Sequence, residues 1–170
     1  MSKEGIDLEC AERQLDRVQA FHPRIDSKVT GLLAIIAGQV AVLALNLNYG
    51  DLPVWWIAVP TAIFAAAVLY ALFSLYRCTY PNLVGGANSL VYFREIAKLR
   101  EAEFIEKYSA LSRDEFKRDV VGQIWRNSEI VTEKYDHLKA ATTAIMIGVL
   151  PWALVLAAIA IRDGRLPAVN

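Results

Sequence analysis

"RIDSKVTGLLAIIAGQVAVLALNL", residues 24–47, decides the fold. Three charged side chains, Arg24, Asp26 and Lys28, stand at its start, and residues 29–47 then carry no charge at all. Thr30, Gln39 and Asn46 are the only polar interruptions of that run. A helix needs ~20 predominantly apolar residues to cross the hydrocarbon core of a bilayer. The run is too long and too uncharged for an ordinary core helix, so it reads as a transmembrane span.

Two further runs repeat the pattern. Residues 53–76, "PVWWIAVPTAIFAAAVLYALFSLY", open on Pro53, which suits a first helical position. Trp55 and Trp56 read as an interfacial aromatic belt. Residues 140–161, "AATTAIMIGVLPWALVLAAIAI", form the third span. Pro60 and Pro151 lie inside these two runs, where kinks are common and tolerated. No Asp, Glu, Lys, Arg or His falls inside any span, which argues against a proton-coupled transporter or a voltage sensor.

Composition agrees with this partition. Apolar residues make up 55% of the chain and charged residues 21%, a mixture that implies apolar spans beside a charged part. The formal net charge is zero, so nothing supports a nucleic-acid partner. Cys10 and Cys78 form no CxxC pair, and His22 and His137 lie in no metal-binding spacing. No cleaved signal peptide is expected, because the first apolar run follows a charged stretch.

Basic flanks set the expected orientation. Arg13, Arg17, Arg24 and Lys28 precede the first span; Arg77, Arg94 and Lys98 follow the second; the link "NYGDL", residues 48–52, carries Asp51 and no base. The positive-inside rule puts the amino terminus and residues 77–139 in the cytoplasm. Arg162 and Arg165 on the outer tail run mildly against the rule.

The soluble part reads as helical. Leu8, Ala11, Leu15, Val18 and Ile25 repeat at three and four within a charged background, an amphipathic helix that Pro23 breaks or kinks. Residues 88–110 give a second helical pattern. Ser112 with Glu115 forms a capping box for a third helix, which carries Phe116, Val120, Ile124, Val131, Tyr135 and Leu138 on one face and continues into the last span. The expected fold is an all-α membrane protein with three transmembrane helices and a cytoplasmic helical bundle. Its parts are an amino-terminal amphipathic helix (1–28), a transmembrane hairpin (29–76, spans 29–47 and 53–76), a cytoplasmic helical region (77–139), a third span (140–161) and an outer tail (162–170).

Enzyme constellations are missing. There is no GxSxG, no GxxxxGK and no HExxH, so no catalytic role and no cofactor are expected. The most informative soluble stretch is "YPNLVGGANSLVYFREIAKL", residues 80–99. Pro81 and Gly85-Gly86 make a bend, Asn88 or Ser89 can cap the following helix, and free backbone N–H groups there suit a phosphate. Tyr92 and Phe93 offer faces to a base; Arg94 and Lys98 lie four apart and can hold anionic oxygens. A plain capping loop with core aromatics fits the same residues. In the first span Gly31, Ala34, Gly38 and Ala41 form a small-residue face, suited to packing within one protomer or between copies.

Three stretches together carry a family likeness: "RIDSKVTGLLAI", "SLVYFREIAKL", and "QIWRNSEIVTEKYDHLKAATTAI" with Lys134-Tyr135 ahead of the third span. In their order and spacing, from about residue 24 to 161, the chain resembles the transmembrane effector family of Pycsar, a bacterial anti-phage defence system. It would be a minimal member without an additional domain. The resemblance implies that a phage-triggered pyrimidine cyclase makes cyclic CMP or cyclic UMP, and that the effector binds it and impairs the inner membrane in an abortive infection. The resemblance transfers no binding residue; by charge, aromatic face and position the ligand-binding candidates are Arg24, Asp26, Lys28, Ser89, Tyr92, Phe93, Arg94, Lys98, Arg126 and Lys134. The Asp26-x-Lys28 pair is either a ligand contact or an inter-helix ion pair holding the resting state. A homo-oligomer in the lipid bilayer is expected, since three helices without charged lumen residues make a poor pore. The competing reading is a constitutive membrane scaffold that docks a protein partner through its cytoplasmic helices.

Overall fold

The computed structural model describes residues 7–80, 86 and 88–164. All regular elements among them are helical: α1 (Leu8–Gln19), α2 (Phe21–Asn46), a 3-10 turn (Tyr49–Asp51), α3 (Trp55–Thr79), α4 (Phe93–Ile96), α5 (Glu101–Ser109) and α6 (Arg113–Asp163). The chain divides into two compact units. A charged unit gathers the described residues up to Arg24 and those within 81–133; an apolar unit gathers Ile25–Tyr80 and the described residues from Lys134 onward. Residues of α2 and α6 contribute to both.

In the apolar unit, three helices are long and apolar enough to cross a membrane. Only 17% and 22% of the first and second candidates' most apolar stretches is buried, against 39% for α6. α6 is therefore the rod against which the others pack. Leu43 of α2, Ile57 and Phe64 of α3, and Val155, Leu156 and Ile159 of α6 form the core. Gly148 lets α6 approach α3 closely, since a Cβ there would sit 3.3 Å from the Ala67 Cβ. Large side chains such as Leu45, Leu69, Met146 and Leu150 stay about two-thirds exposed. A water-soluble monomer rarely leaves so continuous an apolar surface bare, whereas lipid tails cover it without penalty.

Polar contacts tie these elements together. Trp152 Nε1 donates to the Gln39 carbonyl at 3.0 Å, joining α6 to α2. Arg162 pairs with the buried Asp51 carboxylate and donates to the Gly50 carbonyl at 2.8 Å. The cation that ran against the charge rule is thus neutralised by the acid of the 48–52 link; Arg165 lies outside the described residues.

In the charged unit, Asp7 caps α1 by accepting from Leu8 N at 2.8 Å. Ala11 and Leu15 pack on Val120, with Leu8, Val91, Phe116 and Ile124 around them. The chain breaks at Ala20, three residues before Pro23. Pro23 falls in the first turn of α2, where a missing N–H leaves no intrahelical bond unmade, so α2 runs unbroken through Lys28 into the apolar run. The capping box at Ser112 is formed: Ser112 N donates to Glu115 Oε2 at 2.9 Å and Glu115 N to Ser112 Oγ at 3.3 Å.

The helix expected over 88–110 is instead two short ones, α4 and α5, with Arg100 extended ahead of the second. Helix formation is delayed to Phe93 because side chains claim the N–H groups of residues 90–92. Phe104 and Tyr108 of α5 lie against each other with their rings tilted by 35°, and Tyr108 meets Phe116 of α6 edge-on, ring centroids 6.0 Å apart.

Candidate ligand groove

The charged unit carries an open groove of about 850 Å³ along α6. Its floor is a helical stripe: Glu115, Arg118, Asp119, Gly122, Trp125, Arg126 and Glu129 recur at three and four. Gly122 lies mid-helix, where glycine costs roughly 0.5–1 kcal/mol relative to alanine. Nothing lies within 4 Å of where its Cβ would be, so its missing side chain leaves the groove open. The volume falls within the range of about 300–1,000 Å³ typical of small-ligand sites.

The rim is the turn containing residues 88–92. Asn88 has φ +61°, a left-handed conformation that asparagine tolerates. Ser89 is buried; its Oγ accepts from Tyr92 N at 2.9 Å, Val91 N at 3.2 Å and Gln123 Nε2 at 3.0 Å. Asp119 Oδ2 accepts from Leu90 N at 2.7 Å and Val91 N at 3.2 Å. Of the backbone donors ahead of α4, Leu90 and Val91 N–H are thus occupied by an internal carboxylate and Tyr92 N–H by the Ser89 hydroxyl. Of the bend itself only Gly86 is described; Pro81 and Gly85 lie outside the described residues.

Arg126 supplies the free donor. Its Nη1 donates to Glu129 at 2.8 Å and its side chain is 22% exposed. Its Nε is buried without a partner, the single such side-chain atom among the described residues. Trp125, the next residue along the stripe, is 65% exposed and offers a flat aromatic face. Glu115 is held by Ser112, and hydrogen bonds from the Ser112 hydroxyl and N–H, with Arg118 nearby, hold its carboxyl below the ordinary value.

A second groove of about 450 Å³ shares Asn88, Ser89, Leu90, Leu111 and Glu115 with the first and adds Glu95, Lys98 and Lys107. Lys98 is ion-paired with Glu95, whose carboxyl that bond, with Asn88 N–H and Arg94, holds below the ordinary value.

The ten sequence candidates thus separate. Ser89 and Arg126 meet in the larger groove, and Lys98 lies in the smaller. Tyr92 is buried with its ring edge-on to Phe93 at 5.0 Å, so it is a core residue and not a stacking face. Phe93 and Arg94 are exposed and line neither groove. Arg24 lies 5.5 Å over the Phe21 ring. Asp26, Lys28 and Lys134 belong to the other unit. There Asp26 pairs with Lys134 at 3.2 Å, not with Lys28, whose ammonium lies 5.6 Å over Tyr135. Sequence reasoning missed Arg118, Gln123 and above all Trp125; the signal was a polar-aromatic stripe at helical spacing opposite the apolar one.

A family model described as "Pycsar effector protein domain" matches residues 10–161. No curated protein and no solved structure matches the chain.

Proposed function

The chain belongs to the Pycsar effector family, whose model covers nearly all of it, and on that premise we propose that it senses cyclic CMP or cyclic UMP and breaches the inner membrane. The nucleotide comes from a pyrimidine cyclase triggered by phage, and the outcome is abortive infection. The amino terminus and residues 77–139 face the cytoplasm, where the nucleotide is made; residues 162–170 face outward. The charged residues in the cytoplasm act as sensor and the apolar unit as actuator. Copies associate in the bilayer, because the apolar runs of one chain hold no charged side chain with which to line a pore.

The observation that carries this reading is the pairing of Arg126, with its buried unpartnered Nε, and the exposed Trp125 in one groove. A cyclic phosphate supplies the acceptor that Nε lacks, and a pyrimidine stacks on the indole. Turning a resting 1:99 equilibrium into 99:1 takes ~5.5 kcal/mol of differential binding. Stacking contributes ~1–3 kcal/mol and each charge-assisted hydrogen bond ~1.5–3 kcal/mol, so one stack with two such bonds supplies ~4–9 kcal/mol, a range that spans the requirement. Asp26–Lys134 serves as an ion pair of the resting state rather than a ligand contact.

Calorimetry of the detergent-solubilised full chain with cyclic CMP, cyclic UMP and cyclic AMP tests the reading. One pyrimidine nucleotide should bind in preference to cyclic AMP. Trp125→Ala should weaken it about 5- to 150-fold, and Arg126→Gln should weaken it with the helical content unchanged. Cells co-expressing a cyclase should take up propidium. No heat with either pyrimidine nucleotide from folded protein, or wild-type affinity in both variants, overturns it.

A further inference from the structure

We propose that the apolar unit holds one anionic phospholipid in a groove between α2 and α6, at the charged end of their apolar runs. The groove measures about 550 Å³, and its lining changes character along its length. At one end stand Lys28 and Lys139, the last charged residues before runs 29–47 and 140–161. Leu138 flanks Lys139, and further along the two runs lie Leu32 and Ile35 of α2 and Thr142 and Thr143 of α6. Gly31 keeps the passage open, with nothing within 4 Å of where its Cβ would be.

Both ammonium groups are available to a headgroup. Asp26, two residues from Lys28, is engaged by Lys134 across the same pair of helices. Lys28 instead leans over the Tyr135 ring. Among the described residues neither Lys28 nor Lys139 forms an ion pair. Asp136, three residues before Lys139, lines the neighbouring apolar groove and not this one. Two cations without an ion-pair partner thus stand on facing helices at the charged end of a largely apolar groove. A phosphate diester offsets both charges, and its acyl chains continue down the apolar lining. Basic pockets of this kind between membrane helices select anionic headgroups. A free phosphate meets the lysines but leaves the apolar half empty, so the lining favours a lipid.

The proposal rests on the membrane assignment and not on nucleotide sensing, and its test uses no nucleotide. The full chain, purified in mild detergent, is examined by native mass spectrometry and thermal melting with phosphatidylglycerol, phosphatidylcholine or inorganic phosphate. Phosphatidylglycerol should remain bound and raise the melting temperature; the other two should not. Replacing both lysines (Lys28→Gln with Lys139→Gln) should lower phosphatidylglycerol affinity about 30-fold, about fivefold per lysine. Should that double variant fail to fold, the wild-type comparison in low and high salt decides, since the anionic lipid alone should be displaced by salt. Equal retention of phosphatidylcholine, equal stabilisation by inorganic phosphate, or unchanged affinity in a folded double variant overturns the proposal.

Discussion

Asp26→Asn should destabilise this protein more than Lys134→Met, although the two substitutions break the same ion pair. The reason is the asymmetry of the pair: the Lys134 side chain is 8% exposed and that of Asp26 58%. Removing the carboxylate leaves a buried ammonium without its counter-charge; removing the ammonium leaves a carboxylate that water already solvates. Breaking a fully buried pair from one side costs ~3–5 kcal/mol, while an exposed pair is worth ~0–1 kcal/mol. With one partner buried and the other half in water, Asp26→Asn should cost about 2 kcal/mol. For a chain of this length that lowers the melting temperature by about 4–8 °C. Lys134→Met keeps the volume and apolar stem and should cost under about 1 kcal/mol. The double variant should melt near Lys134→Met, because it contains no stranded charge. Intrinsic fluorescence from the four tryptophans in detergent reads all four melts of the cycle. Equal losses in the two single variants, or a double variant whose loss is their sum, would refute the reasoning.

Two further outcomes follow from the same geometry. Gly148→Val should destabilise the apolar unit by about 1–3 kcal/mol, since even a Cβ there meets Ala67 at 3.3 Å, whereas Gly38→Ala meets nothing within 4 Å and should melt like wild type. A thermal melt of each resolves the contrast, and equal behaviour would mean that α3 and α6 do not approach at Gly148. Ser112→Ala should lower the melting temperature by about 2–4 °C through the lost cap. The Glu115 carboxyl is held below its ordinary value of 4.5 by Ser112. A carboxyl lowered in the folded state contributes stability above its unfolded value and loses it as pH falls through the lower folded one. The melting difference between wild type and Ser112→Ala should therefore be full above about pH 4.5 and shrink as pH falls below it; a difference that never shrinks on acidification contradicts the cap.

Much of the fold was legible because it is local. The apolar runs at 29–47, 53–76 and 140–161 announce membrane helices by transfer free energy summed over consecutive residues, and α2, α3 and α6 contain nearly all of them. The capping box at Ser112 and the unbroken passage of α6 depend on neighbours three and four residues away. The site was less legible. Ser89 and Arg126 were among the candidates, yet Trp125, beside Arg126, was not.

By itself, then, the sequence determined helicity, the number of lipid-compatible segments and the family. The tertiary structure decided the partners: Asp26 with Lys134 across 108 positions instead of with Lys28, Arg162 with Asp51, and Asp119 on the N–H groups of Leu90 and Val91. Hydropathy and capping add up along the chain, so a periodic reading recovers them. Which charge meets which carboxylate depends on the register of one helix against another, and no spacing within a single helix encodes that register.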